Sequence, residues 1–406
     1  MTTKKPYIIR NILMLMAIAI LIQAAITQPV QAQSDPSDLE GIFYAPREPF
    51  DDPNHFALVA GSAFGILPKD LPAVRNQGRH GLCATFCATA MMEIARCKLI
   101  GTLHCNSIKD SERISVASML MYRDNKDSPN IAAIGPLVGS GDSKLYEIMN
   151  KMQSNALPPF FYSESCFPYE RIMRQPVMDS EEKSEAFFDR LRLLFGKAKQ
   201  YLAGGGASAV ESCVECMQML ALIRSYLTLN LQPANIHSAL QKKTFNEFLY
   251  SIVFEEHEKS NPDCRMIIMP KHSYFEHYPK MAFRSGDFTS PKAMFKVLDE
   301  QIKLGRPVSL SAICSAKSQK TGDCVNHCVV ITASKQLKNV ATGEIVMLYH
   351  VLNSWGKEWQ SLTNNGWVRA DLLRRLTRSY DDPNIEKPYE LRQIAFEHSL
   401  TLIEED

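Results

Sequence analysis

The chain has 406 residues, enough for two or three domains and a sizeable core. Lys and Arg total 45 against 44 Asp and Glu, a formal net charge of +1, which argues against nucleic-acid or membrane-surface binding driven by a basic face. A hydrophobic fraction of 45% with 22% charged residues excludes bulk disorder.

Lys4, Lys5 and Arg10 precede an unbroken apolar run from Ile12 to Ile22, and Val30-Gln31-Ala32 follows as a cleavage site. Residues 1–32 therefore read as a signal peptide. The run is too short to span a bilayer, which takes about 20 residues; a retained membrane anchor is the alternative. The mature chain, from about Gln33, is expected to be soluble and secreted or periplasmic. No Asn-X-Ser/Thr acceptor occurs, which favours a bacterial source. Eleven cysteines in an exported chain leave at least one without an intramolecular partner.

Residues 33–65 carry several Pro and Asp and little periodicity, and read as an extended lead-in. Over residues 66–179 a Pro-punctuated extended segment (67–72) enters a Gly-bearing loop, Gln77-Gly78-Arg79-His80-Gly81. A helix is expected next, with Phe86, Ala90 and Ile94 at helical spacing, and a second over 143–152. Residues 180–260 read as a helical hairpin without chemistry of its own. Phe187, Leu191, Leu194 and Ala198 form one stripe, Gly204-Gly205-Gly206 breaks it, and Cys216, Met219, Leu220, Ile223 and Leu227 form another. Residues 261–406 become strand-like, with β-branched runs at 307–312, 328–332 and 345–352 and a turn at 341–344. The fold class is α+β, a helix-rich half followed by a strand-rich half.

Cys83 follows the Gly-bearing loop at the expected start of a helix, where unsatisfied N–H groups and the positive helix end stabilise a thiolate. His327 opens one apolar run and Asn353 closes another. A thiol nucleophile needs a base, and that base needs a neighbour to hold its ring; an Asn side-chain oxygen serves by accepting from the imidazole.

Three segments carry a resemblance. Val74 to Phe86 is similar to the loop-and-nucleophile motif of the papain-like cysteine peptidases. Asn326-His327-Cys328-Val329-Val330 resembles their histidine motif. Leu352-Asn353-Ser354-Trp355-Gly356, with Asn365-Gly366-Trp367-Val368-Arg369 after it, resembles their asparagine motif. Residues 164–170 and 306–310 are weaker matches in the right order. The resemblance implies a two-lobe fold, helical lobe plus β-barrel-like lobe, with the 180–260 hairpin inserted. It implies Cys83 as nucleophile, His327 as its ion-pair partner and later general acid, and Asn353 as the residue that orients His327. Gln77 would donate to the oxyanion with the Cys83 N–H, Trp355 would shield the His–Asn contact, and Gly139 and Gly141 would pair with substrate backbone. It further implies polypeptide substrates, a monomer, and neither metal nor organic cofactor.

The pattern also breaks. His80 stands where the family has a disulfide cysteine, and Ala84 replaces a Trp, which is expected to open the cleft. Cys328 is expected to pack as a small hydrophobe. Cys314–Cys324 is the first disulfide expected and Cys97–Cys105 the second. Cys213-Val214-Glu215-Cys216 is poor support for zinc without a second pair. His257, His272 and His277 are expected on the surface. Two alternatives stay open: a catalytically silent binding or inhibitory protein, and an acyltransferase or deamidase using the same thioester.

Overall fold

A computed structural model describes residues 50–78, 82–99, 105–120, 160–173, 175, 181–202, 209–227, 229, 231–264, 266–268, 280–285, 291–317, 324–378 and 393–398. All fall within the unit Gly41–Asp406. The expected signal peptide, the helix at 143–152, and His80, Gly139, Gly141, His272 and His277 lie outside the described residues.

Helix and sheet are mixed. The main sheet has eight antiparallel strands, centred on β7 (Cys324–Asn339). The strands expected from the β-branched runs are present as β6 (Val308–Lys317), β7 and β8 (Ile345–Leu352). Asn339 makes the β7–β8 turn, its Oδ1 accepting from the N–H groups of Ala341 and Thr342, with Gly343 at φ +75°. β9 (Trp367–Arg369) continues from β8, and β10 (Gln393–His398) joins β6 to β5 (Lys280–Ser285).

Residues 50–66 belong to this sheet. β1 (Phe56–Leu58) and β2 (Phe64–Gly65) both pair with β7, and Phe50 and Phe56 pack against Leu337, Val346 and Trp367. The apparent lack of periodicity has a simple cause: strands of three and two residues are too short to display one.

The helix expected after the Gly-bearing loop is α1 (Cys83–Leu99), with Phe86, Ala88, Met91 and Ile94 buried. Ala84 is buried with them. α2 (Val116–Leu120), β3 (Phe160–Tyr162) and α3 (Tyr169–Met173) follow. Both apolar stripes of the 180–260 region are buried, on α4 (Glu181–Leu202) and α5 (Val214–Tyr226), which pack together. α6 (Pro233–Leu240) comes next, then α7 (Phe245–Tyr250), capped by Thr244 and Glu247. α7 runs through a π-helical stretch, Ser251–Glu256, into α8 (His257–Ser260). The chain returns as β4 (Met266–Ile268), paired with β3.

His257, expected on the surface, is 3% exposed and bonds to Asn261. The π-helical turn widens the helix just before it and draws Glu256 and His257 inward, where Glu256 accepts from Ser238, Asn235 and Lys259. The expected Cys97–Cys105 disulfide is present. Cys213 and Cys216 are joined to each other, and Cys166 is joined to Cys264, a pair the sequence reading did not find. The backbones of Cys314 and Cys324 lie in facing strands, opposite Asn326 and Lys317; their side chains are outside the described residues. Cys83, Cys87 and Cys328 remain thiols.

β7 alternates between two apolar groups, as strand geometry requires. Cys328 and Val330 pack with α1 and the helices after it. Val329 and Ile331 pack with α9 (Pro291–Lys303) and α10 (Ala370–Arg378).

Candidate active site

His327 and Asn353 come together because β7 and β8 are antiparallel, with Val330 opposite Leu352. The chain leaves β8 one residue before Asn353, which turns back to His327 with Oδ1 2.8 Å from Nε2. His327 is 4% exposed and Asn353 2%. An amide oxygen only accepts, so Nε2 carries the hydrogen and Nδ1 keeps the lone pair in the neutral ring. The indole of Trp355 stacks on the imidazole, centroids 4.6 Å apart and planes 28° from parallel. Burial pulls the imidazole down to about 4, while the bond from Asn353 pulls it back up.

Gln77 reaches the same end through backbone pairing. The Gln77 N–H donates to the Ser354 carbonyl at 2.7 Å and the Gly356 N–H to the Arg75 carbonyl at 3.0 Å, with Asn76 bridged to Trp355. Gly356 sits at φ +88°, where an added Cβ would lie 3.1 Å from Nδ2 of Asn76, so glycine suits both the turn and the approach. The Ser354 hydroxyl donates to Oε1 of Gln77, which leaves the Gln77 NH₂ as donor. Tyr169 donates to the Gln77 carbonyl.

Cys83 is half-buried at the first turn of α1 and packs against the apolar group that contains Cys328, Val330 and Leu352. α1 lies against β7. Cys328 is buried as expected, with Sγ 3.3 Å from the Ser309 hydroxyl. His327, Asn353, Trp355 and Gln77 thus share one end of the sheet, and Cys83 opens the helix packed on it.

Sequence reading missed a buried ion cluster behind these residues. Arg75 donates from Nη1 to Glu164 at 2.9 Å and from Nη2 to Glu93 at 2.6 Å and to the Ile114 carbonyl at 2.7 Å. Arg113 lies 3.5 Å from Glu93. Burial pushes the Glu164 carboxyl up, against the pull of Arg75. One signal was present in the sequence: Glu93 interrupts the apolar face of Met91, Met92 and Ile94, and a charge so placed is paired.

No protein-family model and no curated protein sequence matches this chain. Among solved structures it is similar to a recombinant stem bromelain precursor, at 13% identity over 91% of this chain and 75% of that one, TM-score 0.34. It is also similar to PepW from Lactobacillus rhamnosis HN001, at 12% identity over 80% of this chain and 86% of that one, TM-score 0.29. At such scores neither likeness carries an argument about chemistry, which rests on the side chains described above.

Proposed function

We propose that the chain is an exported papain-like thiol endopeptidase, of two lobes with the 180–260 helices inserted in one. The observation that carries this reading is the buried His327–Asn353 bond beneath Trp355, beside a Gln77 whose amide is oriented by Ser354. A structural role for a buried histidine does not call for that set of neighbours.

In this mechanism the Cys83 thiolate attacks the scissile carbonyl and its electron pair becomes the carbon–sulfur bond. The first turn of α1 favours the anion, and the anion in turn raises the proton affinity of His327 above its buried, isolated value. The carbonyl π pair moves to oxygen, which accepts from the Gln77 NH₂ and the Cys83 N–H. The imidazolium gives its proton to the leaving amine. Water, deprotonated by His327, then hydrolyses the thioester and frees Cys83. Disulfides such as Cys166–Cys264 support an exported location.

The test is turnover of a broad peptide library by the purified protein and by Cys83→Ala, with epoxide labelling of the wild type. Cleavage lost in the variant and label confined to Cys83 are expected. An inert wild type would favour the binding protein, label on another cysteine with activity intact would overturn the assignment, and amine adducts in place of acids would mean acyl transfer.

A further inference from the structure

Beside Asn353 the apolar group that contains Phe86, Val330 and Leu352 does not close completely. It leaves a cavity of about 30 Å³, lined by Arg75, Phe86, Cys87, Glu93, Leu352 and Asn353 among others. Two of these lining residues carry a buried donor that makes no hydrogen bond within the described residues: Arg75 at Nε and Asn353 at Nδ2. Asn353 is 2% exposed and the Arg75 side chain 10%. The other two nitrogens of that guanidinium are engaged, Nη1 with Glu164 and Nη2 with Glu93 and the Ile114 carbonyl. The Glu93 carboxylate takes all its described bonds on Oε1, from Arg75 and the Ile114 N–H, so Oε2 remains an acceptor.

We propose that this cavity is a binding site for one internal water, accepting from Arg75 Nε and Asn353 Nδ2 and donating to Glu93 Oε2. A buried donor left unmet is costly, and a polar cavity with three partners and more than about 15 Å³ of room is where ordered water is found. A halide would also accept from both donors, but it would face the Glu93 carboxylate, and Glu93 and Glu164 already use the charge of Arg75. Water supplies the hydrogen that Oε2 takes; a halide does not.

The water makes Arg75 and Glu93 positioning residues. Asn353 holds His327 with its oxygen, so its amide plane is set by whatever holds its nitrogen. Through the water, that holder is the ion cluster on α1 and the loop before it. This second part rests on the peptidase reading; the water itself does not.

Two measurements separate the parts. A crystal structure of the whole chain at about 1.5 Å is expected to show an oxygen within hydrogen-bonding distance of all three atoms. No density there, or an anomalous bromide peak in a bromide-soaked crystal, overturns the site, whatever the enzyme does. Val330→Ile adds one methylene to the cavity wall, and Arg75→Lys keeps the charge but removes Nε. Each is expected to lower kcat about tenfold with KM unchanged, and to shift the pH at which Cys83 labelling is half-maximal. Since Arg75→Lys can fail to fold, Val330→Ile carries the decision. If it loses the water yet keeps kcat and the labelling profile, the positioning role is wrong. If the wild type carries the water but cleaves no peptide, the peptidase reading fails and the site stands.

Discussion

Ser354 donates its hydroxyl to Oε1 of Gln77, a side chain 277 positions earlier in the chain. This bond fixes the rotation of a glutamine amide whose two ends are otherwise nearly interchangeable, and in the proposed mechanism the NH₂ end is the one that serves the oxyanion. Gln77→Ala is expected to lower kcat about 10²–10³-fold. Ser354→Ala keeps the donor but frees its rotation and is expected to cost about tenfold. Steady-state kinetics on one fluorogenic peptide compare them, and a larger loss in Ser354→Ala than in Gln77→Ala would contradict this ordering.

Asn353→Ala removes the oxygen that accepts from Nε2 of the buried His327 imidazole. The ring is then free to flip, and the proposed mechanism loses the tautomer that leaves the lone pair on Nδ1. Activity is expected to fall about 10²-fold or more, with about 1–3 kcal/mol lost in urea unfolding. Full activity in this variant would remove Asn353 from the machinery.

Acid should destabilise the protein. Burial holds the imidazoles of His257 and His350 at about 4, against about 6.5 in an unfolded chain. Between those values the unfolded chain takes up protons that the native protein refuses. Stability is therefore full above about pH 6.5, falls as pH drops through the window, and reaches its floor below about 4. His350, bonded to Thr332 and to the Asn365 carbonyl, accounts for roughly 3 kcal/mol of this loss. His350→Gln is expected to flatten the pH dependence measured by urea unfolding, and an unchanged slope would exclude His350 as a source.

The disulfides should rank by the loops they close. Cys166–Cys264 spans 98 positions and Cys97–Cys105 only 8. Restricting the unfolded chain gives about 5 kcal/mol for the first and about 2.5 kcal/mol for the second. Paired Cys→Ala variants tested by thermal unfolding should keep that order.

Gly65 lies at φ +92° in β2, and an added Cβ would come within 2.4 Å of the Thr332 carbonyl oxygen. Gly65→Ala is expected to cost about 2 kcal/mol or more, combining backbone strain with the displaced strand. Truncation to Ile66 should be still more damaging, because it strips β1, β2 and the Phe50 and Phe56 contacts from the sheet. Any activating cleavage is thus expected before Phe50, which N-terminal sequencing of the active protein would read.

Much of this protein is local in its chain and was legible there. The start of α1 at Cys83, both stripes of α4 and α5, and strands β6 to β8 follow from side-chain periodicity, because a face repeated every 3.6 or every two residues has only one way to be buried. The residue types at 83, 327 and 353 suggest chemistry by themselves, and position 77 joins them through the resemblance. What periodicity could not decide was set by contacts between distant segments. Two-residue β2 exists only because β7 supplies its partners. Glu93 and Arg75 became a pair only when α1 folded against its entry loop, and the inward turn of His257 required a π-helical stretch. The tautomer of His327 was likewise fixed from outside its own strand, by an oxygen that β8 delivers 26 residues later. A hydrogen bond at 2.8 Å is a fact about two places in space, and a sequence gives only their order along the chain.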